Sequence, residues 1–338
     1  MRNTMISSAH SLHSYKTCDN KPFIPIVYRN DYDIYFFKIE NIHPFDTKKW
    51  GKIAHNLRQY FQTKYGDHSG NDFFISPSHS ITKDELSLVH TKGFICRMHC
   101  SPLSVARAAE VCPLILCPIC IIERKLLQPI KWQTSGSILA AFLALKYGWA
   151  INLGGGFHHC SANRAQGFCL FADITLTIRY LWQEVRPELN VLIVDCDAHE
   201  GNGYARDVLA MVYILDLFNP YIFPDDEKAQ TAINRAIHLR PRIEDTDHIK
   251  ATLTDDHFMP DLIIYNAGTD ILSGDPLGRL RISPNGIAKR DEIVFRYAKE
   301  NDISIVMLLS GGYQRNNAEV IANSIRNLFD NHFIDAIK

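Results

Sequence analysis

What most constrains this chain is a recurring order of segments: a short β-branched apolar run, usually a cluster of glycine, histidine and acid, then a stretch with helical spacing. The runs at Pro25–Tyr28, Ala150–Leu153, Val191–Asp195, Val212–Asp216, Leu262–Asn266 and Ser304–Leu309 are short and apolar, as strands covered on both faces are. Helical spacing recurs over Lys48–Tyr65, Thr134–Tyr147, Ala172–Val185, Lys228–Leu239, Pro284–Lys299 and Asn317–Phe329. Ser283 before Pro284 fits a capped helix start with proline at its first position. The alternation predicts one α/β domain: a mainly parallel central sheet with helices on both faces. No repeat or linker divides it, so a single domain is expected over 23–338, after a mobile tail over 1–22.

In such sheets ligands bind beyond the carboxyl ends of the strands. GGGFHHC follows Ala150–Leu153, DCDAHEGNG follows the run that starts at Val191, NAGTD follows Leu262–Tyr265, and SGGYQ follows Ser304–Leu309. Four strand ends therefore bring unusual chemistry to one rim.

Asp197 and His199 form an Asp-x-His pair, in which alternate residues of an extended chain point the same way. Asp270 adds a second carboxylate from another strand end. Two carboxylates and one imidazole leave one position of a tetrahedral ion open, the arrangement of a catalytic rather than a structural zinc. Asp-x-His alone is common in ordinary loops; its weight comes from the other three strand ends. Hydrolysis of an amide also needs a base for the attacking water and an acid for the leaving amine. His158 and His159 could divide that work, with Gly154–Gly156 permitting a tight turn and close backbone approach. Tyr313 could donate to the oxygen of the carbonyl as it becomes tetrahedral.

These segments, with PIVY, NIHPFDTKKWGKI, LSLVHT, QTSGSILAA, WAINLGGGFHHCS, GFCLFADITL, YNAGTDILSGDPLG and ISPNGIAKRDE in the same order, resemble the zinc-dependent histone deacetylases of the arginase–deacetylase superfamily. The class IV branch is the most similar, and the resemblance runs from about Pro25 to Leu328. It implies one Zn²⁺ on Asp197, His199 and Asp270, catalytic His158 and His159, and Tyr313 as oxyanion donor. It implies that Asp195 orients His158 and adjoins a structural K⁺, and that Asn202 stands where class I enzymes face the second histidine with Asp. An amide stabilises imidazolium less than a carboxylate does, which favours His159 as base. Phe157, Phe168, Gly167, Gly311 and Gly312 match the walls of a narrow apolar channel for the lysine stem. The implied substrates are acylated lysines of proteins or peptides, long-chain fatty acyl before acetyl, and hydroxamates should inhibit by chelating the metal. Class I enzymes carry a rim aspartate, but here only Glu85, Glu110 and Glu123 lie between Asp84 and Asp173. Peptide recognition should therefore be loose.

Other readings of the same sequence fare less well. A binuclear manganese site of the arginase kind lacks ligands, because Leu272 follows Asp270 by two and Glu200-Gly201 follows His199. A silent acyl-lysine binder would have lost a ligand, a histidine or the tyrosine, and all are present; a deacetylase of small acylated amines would keep them. Redox chemistry at Cys117-Pro118-Ile119-Cys120 would need a preceding strand, so buried or half-buried structural thiols are expected there. Cys96, Cys100, Cys112, Cys117 and Cys120 hold only one CxxC, too little for a zinc knot.

Lys and Arg number 36 against 37 Asp and Glu, so the chain as a whole has no field that draws nucleic acid or anionic membrane, although a local patch could. Direct nucleic-acid binding is not expected. No apolar run reaches the roughly 18–20 residues that span a bilayer. Nine cysteines cannot all pair within one chain, and their apolar settings suit reduced thiols. A cytoplasmic or nucleocytoplasmic location is expected, with export by a receptor-read signal left open.

Overall fold

A computed structural model describes residues 23–36, 44–66, 73–207, 211–240 and 258–337. The expected tail over 1–22 lies outside the described residues. Among the described residues seven strands form one parallel sheet: β1 Ile26–Val27, β2 Trp149–Asn152, β3 Val191–Asp195, β4 Val212–Phe218, β5 Arg235–His238, β6 Leu262–Asn266 and β7 Ser304–Leu308, in spatial order β1-β2-β7-β6-β3-β4-β5. A parallel neighbour needs a crossover, and helices supply it on both sides.

The period of two along each strand assigns the two faces. Leu192, Val194, Ile263, Tyr265, Ile305 and Met307 enter one apolar cluster, where helices Lys49–Tyr65, Pro284–Glu300 and Asn317–Asp330 cover them. Val191, Ile193, Leu262, Ile264, Val306 and Leu308 enter another, under helices Gln128–Tyr147 and Asp173–Glu184. Ser283 does cap its helix, accepting from the Gly286 N–H at 3.0 Å, with Pro284 at the first position.

One element differs from expectation. The helical reading of Lys228–Leu239 holds only over Glu227–Gln230; the chain then turns and Arg235–His238 pairs with β4 as an edge strand. Ala229 and Ile233 are buried four residues apart, which imitates a helix. The edge strand shows only a half-exposed and exposed alternation, so no apolar run marks it.

The strand ends at the centre are pinned from below. Arg290, fully buried, donates from its guanidinium to the carbonyls of Cys196, Ala267 and Gly268 while pairing with Asp291 at 2.9 Å. One side chain thus ties together the loops after β3 and β6.

Candidate active site

Those two loops carry the carboxylates. Asp197 Oδ2 accepts from Ser310 Oγ at 3.0 Å and from the Gly311 N–H at 2.9 Å; Asp270 Oδ1 accepts from the Ala198 N–H at 2.7 Å. The other oxygens turn to His199, whose Nδ1 lies 3.0 Å from Asp197 Oδ1 and 2.8 Å from Asp270 Oδ2. A Cβ at Gly311 would strike Asp197 Oδ2 and stand 2.8 Å from Asp270 Oδ2, so glycine is required beside both.

One donor atom from each of Asp197, His199 and Asp270 lies within 4.8 Å of the others, and all three residues are buried. Burial, then the charge on Asp197, raises the Asp270 pKa to about 7. Burial opposes charge on His199 too, but the two carboxylates outweigh it and lift its pKa to about 10. A setting that holds a buried proton so firmly between two carboxylates is one that suits a cation. The O₂N donor set, its other lone pairs already bonded, fits zinc or a similar divalent ion. Among the described residues no other group of this kind could hold one.

The glycine turn brings up the histidines. Gly155 and Gly156 take φ of 73° and 80°, and the N–H groups of Gly156 and Phe157 both donate to buried Asp173 at 2.8 Å. His158 and His159 follow with different partners. His158 Nδ1 is 2.9 Å from Asp195 Oδ2, and that carboxylate also accepts from Tyr204 Oη at 2.9 Å and Asn266 Nδ2 at 3.1 Å. His159 Nδ1 is 3.0 Å from Asn202 Oδ1. Burial works against charge on His158, but Asp195 and then Asp197 raise its pKa to about 9. For His159 burial leads, charge on His158 and His199 adds to it, and the pKa falls well below the ordinary imidazole value.

An apolar cavity adjoins this rim. Phe157, Gly167, Phe168, Gly311 and Tyr313 line it, as do His158, His159 and Asp197. Gly312 does not; its place is against Thr269 and Asn317. No local motif marks its other walls, among them Ile34, Phe36, Phe45, Trp50, Val111, Leu114, Leu126 and Ile130. Tyr313 packs edge-on against Phe168 at 5.9 Å and His199 at 6.2 Å between ring centroids. Burial, then Asp270 and Asp197, keeps its phenol protonated.

Of the three glutamates in the gap without aspartate, only Glu110 stands at the mouth, with Tyr221, Phe223 and Arg279. Glu85 caps helix Lys83–Leu86, and Glu123 is engaged by His99 at 2.6 Å and Lys131 at 2.6 Å. Phe223 lies edge-on to His159 at 5.0 Å. Buried Lys49 donates to the carbonyls of Ser310 at 2.6 Å and Gly311 at 3.1 Å, fixing the loop after β7. Nothing local in the sequence marks Phe223 or Lys49, because only the fold brings them here.

The CPIC segment corrects another expectation. Cys117 is half-buried, but Cys112 and Cys120 are exposed, since the apolar run wraps a 3₁₀ turn, Cys112–Leu116, at the surface; Cys96 and Cys100 are exposed on helix Lys92–Cys100. A turn rather than a strand precedes the motif, against a thioredoxin-like site.

Fold and site together define a parallel α/β protein with a buried carboxylate–imidazole cation site beside two differently polarised histidines. The histone deacetylase domain family matches residues 43–329. Histone deacetylase 2 of Arabidopsis thaliana is 43% identical over 312 residues, 90% of this chain and 78% of that protein. Acetoin utilization protein AcuC of Staphylococcus xylosus is 27% identical over 306 residues, 85% of this chain and 76% of that one. The HDA15 HD domain crystal structure shares the fold at a TM-score of 0.70 and 18% identity, covering 93% of this chain and 90% of its own. The chain belongs to the histone deacetylase family. No described helix is long and apolar enough to cross a membrane.

Proposed function

We propose that this protein hydrolyses acyl-lysine side chains of proteins, with Zn²⁺ held by Asp197, His199 and Asp270 and with long-chain fatty acyl groups preferred over acetyl. When bound, zinc supplies a Lewis acid that polarises the amide carbonyl and acidifies the attacking water. The remaining steps belong to the chain. His159 is uncharged, and with Nδ1–H directed at Asn202 its Nε2 is free to take a proton. His158, charged against Asp195, holds a proton for the leaving lysine amine. Tyr313 donates to the oxygen as negative charge gathers there.

The observation that carries the acyl preference is the apolar cavity: aliphatic and aromatic walls lie beside the triad and both histidines. A methyl group would leave most of that surface unused, whereas each buried methylene contributes about 0.8 kcal/mol. Glu110 is the rim carboxylate available to a substrate backbone N–H. A structural K⁺ near Asp195 is supported by Asp216, whose buried Oδ1 lacks a hydrogen-bond partner. Turnover of matched acetyl-, octanoyl- and myristoyl-lysine peptides tests the preference. kcat/KM should rise with chain length; strong preference for acetyl would overturn it, and activity only on free acylated amines would remove the protein substrate.

A further inference from the structure

The amide that faces His159 is itself held. Asn202 Nδ2 donates to Asp226 Oδ2 at 2.9 Å, and Arg206 grips that carboxylate through Nε at 2.5 Å and Nη2 at 2.6 Å. A carboxylate only accepts hydrogen bonds, so the NH₂ of Asn202 must face Asp226 and its carbonyl must face His159. A carbonyl also only accepts, so His159 Nδ1 must carry the hydrogen, leaving the Nε2 lone pair for the substrate side. We infer that Asp226 is a positioning residue that sets the tautomer of His159 through the Asn202 amide. Without that carboxylate the amide can turn over, present NH₂ to Nδ1, and select the tautomer with Nε2–H, which cannot act as a base.

The inference rests on the hydrolase reading for its effect on rate, but not for its effect on the ring. The simpler alternative is that Asp226 only caps Glu227–Gln230, through Ala229 N–H at 3.2 Å, and pairs with Arg206. D226N keeps a good cap residue, so stability alone separates the two readings poorly. The sign of a double-mutant interaction separates them well. In N202D either carboxylate oxygen can accept from His159, so orientation no longer matters, and a second carboxylate beside Asp226 is repelled. In N202D/D226N the two groups have exchanged places and their hydrogen bond is restored.

The experiment measures kcat and KM on an acyl-lysine peptide for the wild type, D226N, N202D and N202D/D226N. It also records the imidazole ¹⁵N shifts of His159 in wild type and D226N. D226N should lower kcat about tenfold or more with KM within about twofold, as removal of a group acting on base catalysis does. The double variant should exceed N202D. His159 should be the Nδ1–H tautomer in the wild type and a mixture in D226N. Equal effects of D226N in both backgrounds, or an unchanged His159 spectrum in D226N, would overturn the relay. A wild type that binds but does not hydrolyse, with the Nδ1–H tautomer intact, would instead remove the hydrolase reading alone.

A separate observation concerns the outer wall of the cavity. Val111 and Leu114 face the cavity, while Ile115 and Leu116 of the same turn are 46% and 90% exposed; Leu103 on the adjoining helix is also exposed. Leu86–Lys131 contains six Lys and Arg against two Glu, in a chain of formal net charge −1; Lys131 is buried, which leaves five cations for a surface. Of the two acids, Glu123 is already paired with Lys131, and Glu110 lies at the mouth; Arg107 and Arg124 are exposed. We propose that this turn docks on an anionic lipid surface, its leucines entering the interface and its cations meeting the headgroups. The channel mouth would then lie against the membrane, where acylated proteins gather.

Sedimentation of the full chain with phosphatidylcholine vesicles, with and without phosphatidylserine, tests this. Binding should require phosphatidylserine, weaken with salt, and fall at least about tenfold in I115D/L116D, whose peptide hydrolysis stays at the wild-type level. No binding, equal binding by the variant, or a wild-type dimer that the substitutions dissociate without any vesicle binding would each overturn it.

Discussion

His158 and His159 lie in contact with ring centroids 4.0 Å apart and planes tilted by 45°, yet their Nδ1 atoms face a carboxylate and an amide respectively. Adjacent in sequence and touching in space, they are two different reagents. Charge is stabilised on one ring and opposed on the other, and the charge on His158 helps keep His159 neutral.

His159→Ala should therefore lower kcat by about 10²–10⁴ with little change in peptide affinity, the range for removing a general base. Asp195→Asn should also lower kcat, and because it breaks a buried network with Tyr204, Asn266 and His158 it should destabilise the fold by a few kcal/mol as well. Steady-state kinetics beside denaturant melts distinguishes the pair: only the Asp195 variant should lose substantial stability.

Tyr313→Phe removes one donor and keeps the ring contacts with Phe45 and Phe168. A loss of about 10²–10³ in kcat at nearly constant KM is expected, as for an oxyanion donor. If KM rises instead and kcat is retained, the phenol serves binding rather than the transition state.

Gly311→Ala places a methyl against Asp197 and Asp270. The carboxylates must part, so the purified variant should hold much less zinc than the wild type even where its melting temperature is nearly kept. Metal content by mass spectrometry reads this directly, without reference to any substrate.

His90 supplies a pH prediction away from the site. Its Nδ1 lies 3.1 Å from the Ala162 carbonyl, its Nε2 accepts from the Ala172 N–H at 3.0 Å, and Phe94 stacks on it at 4.4 Å. Burial pushes its pKa down to about 4. The folded ring is neutral where the unfolded ring begins to protonate, so its contribution is complete above about pH 6.5 and is lost as pH falls toward 4. The full loss is about 3 kcal/mol. His90→Gln should flatten the fall in stability between pH 7 and 5; an unchanged slope would contradict the assignment.

The parts legible in the sequence are those in which local pattern and tertiary role coincide. Val191–Asp195 and Leu262–Asn266 are covered on both faces, so an apolar run marks each up to its last residue. The triad, the histidines and Tyr313 follow such runs by a few residues, which is why their convergence could be foreseen. Arg235–His238 could not be read, since an edge strand has no such run. Asp226, Phe223 and the place of Glu110 at the mouth were hidden for another reason. Each reaches the site from a loop whose neighbours carry no pattern, and its meaning depends on a contact made across the fold.

The proposed acyl-lysine hydrolysis depends on a metal held by Asp197, His199 and Asp270. It is tested most directly by measuring zinc content and myristoyl-lysine peptide hydrolysis together in the wild type and in Asp270→Ala. About one zinc per wild-type chain is expected, with loss of both metal and turnover in the variant. Retention of both by Asp270→Ala would contradict it.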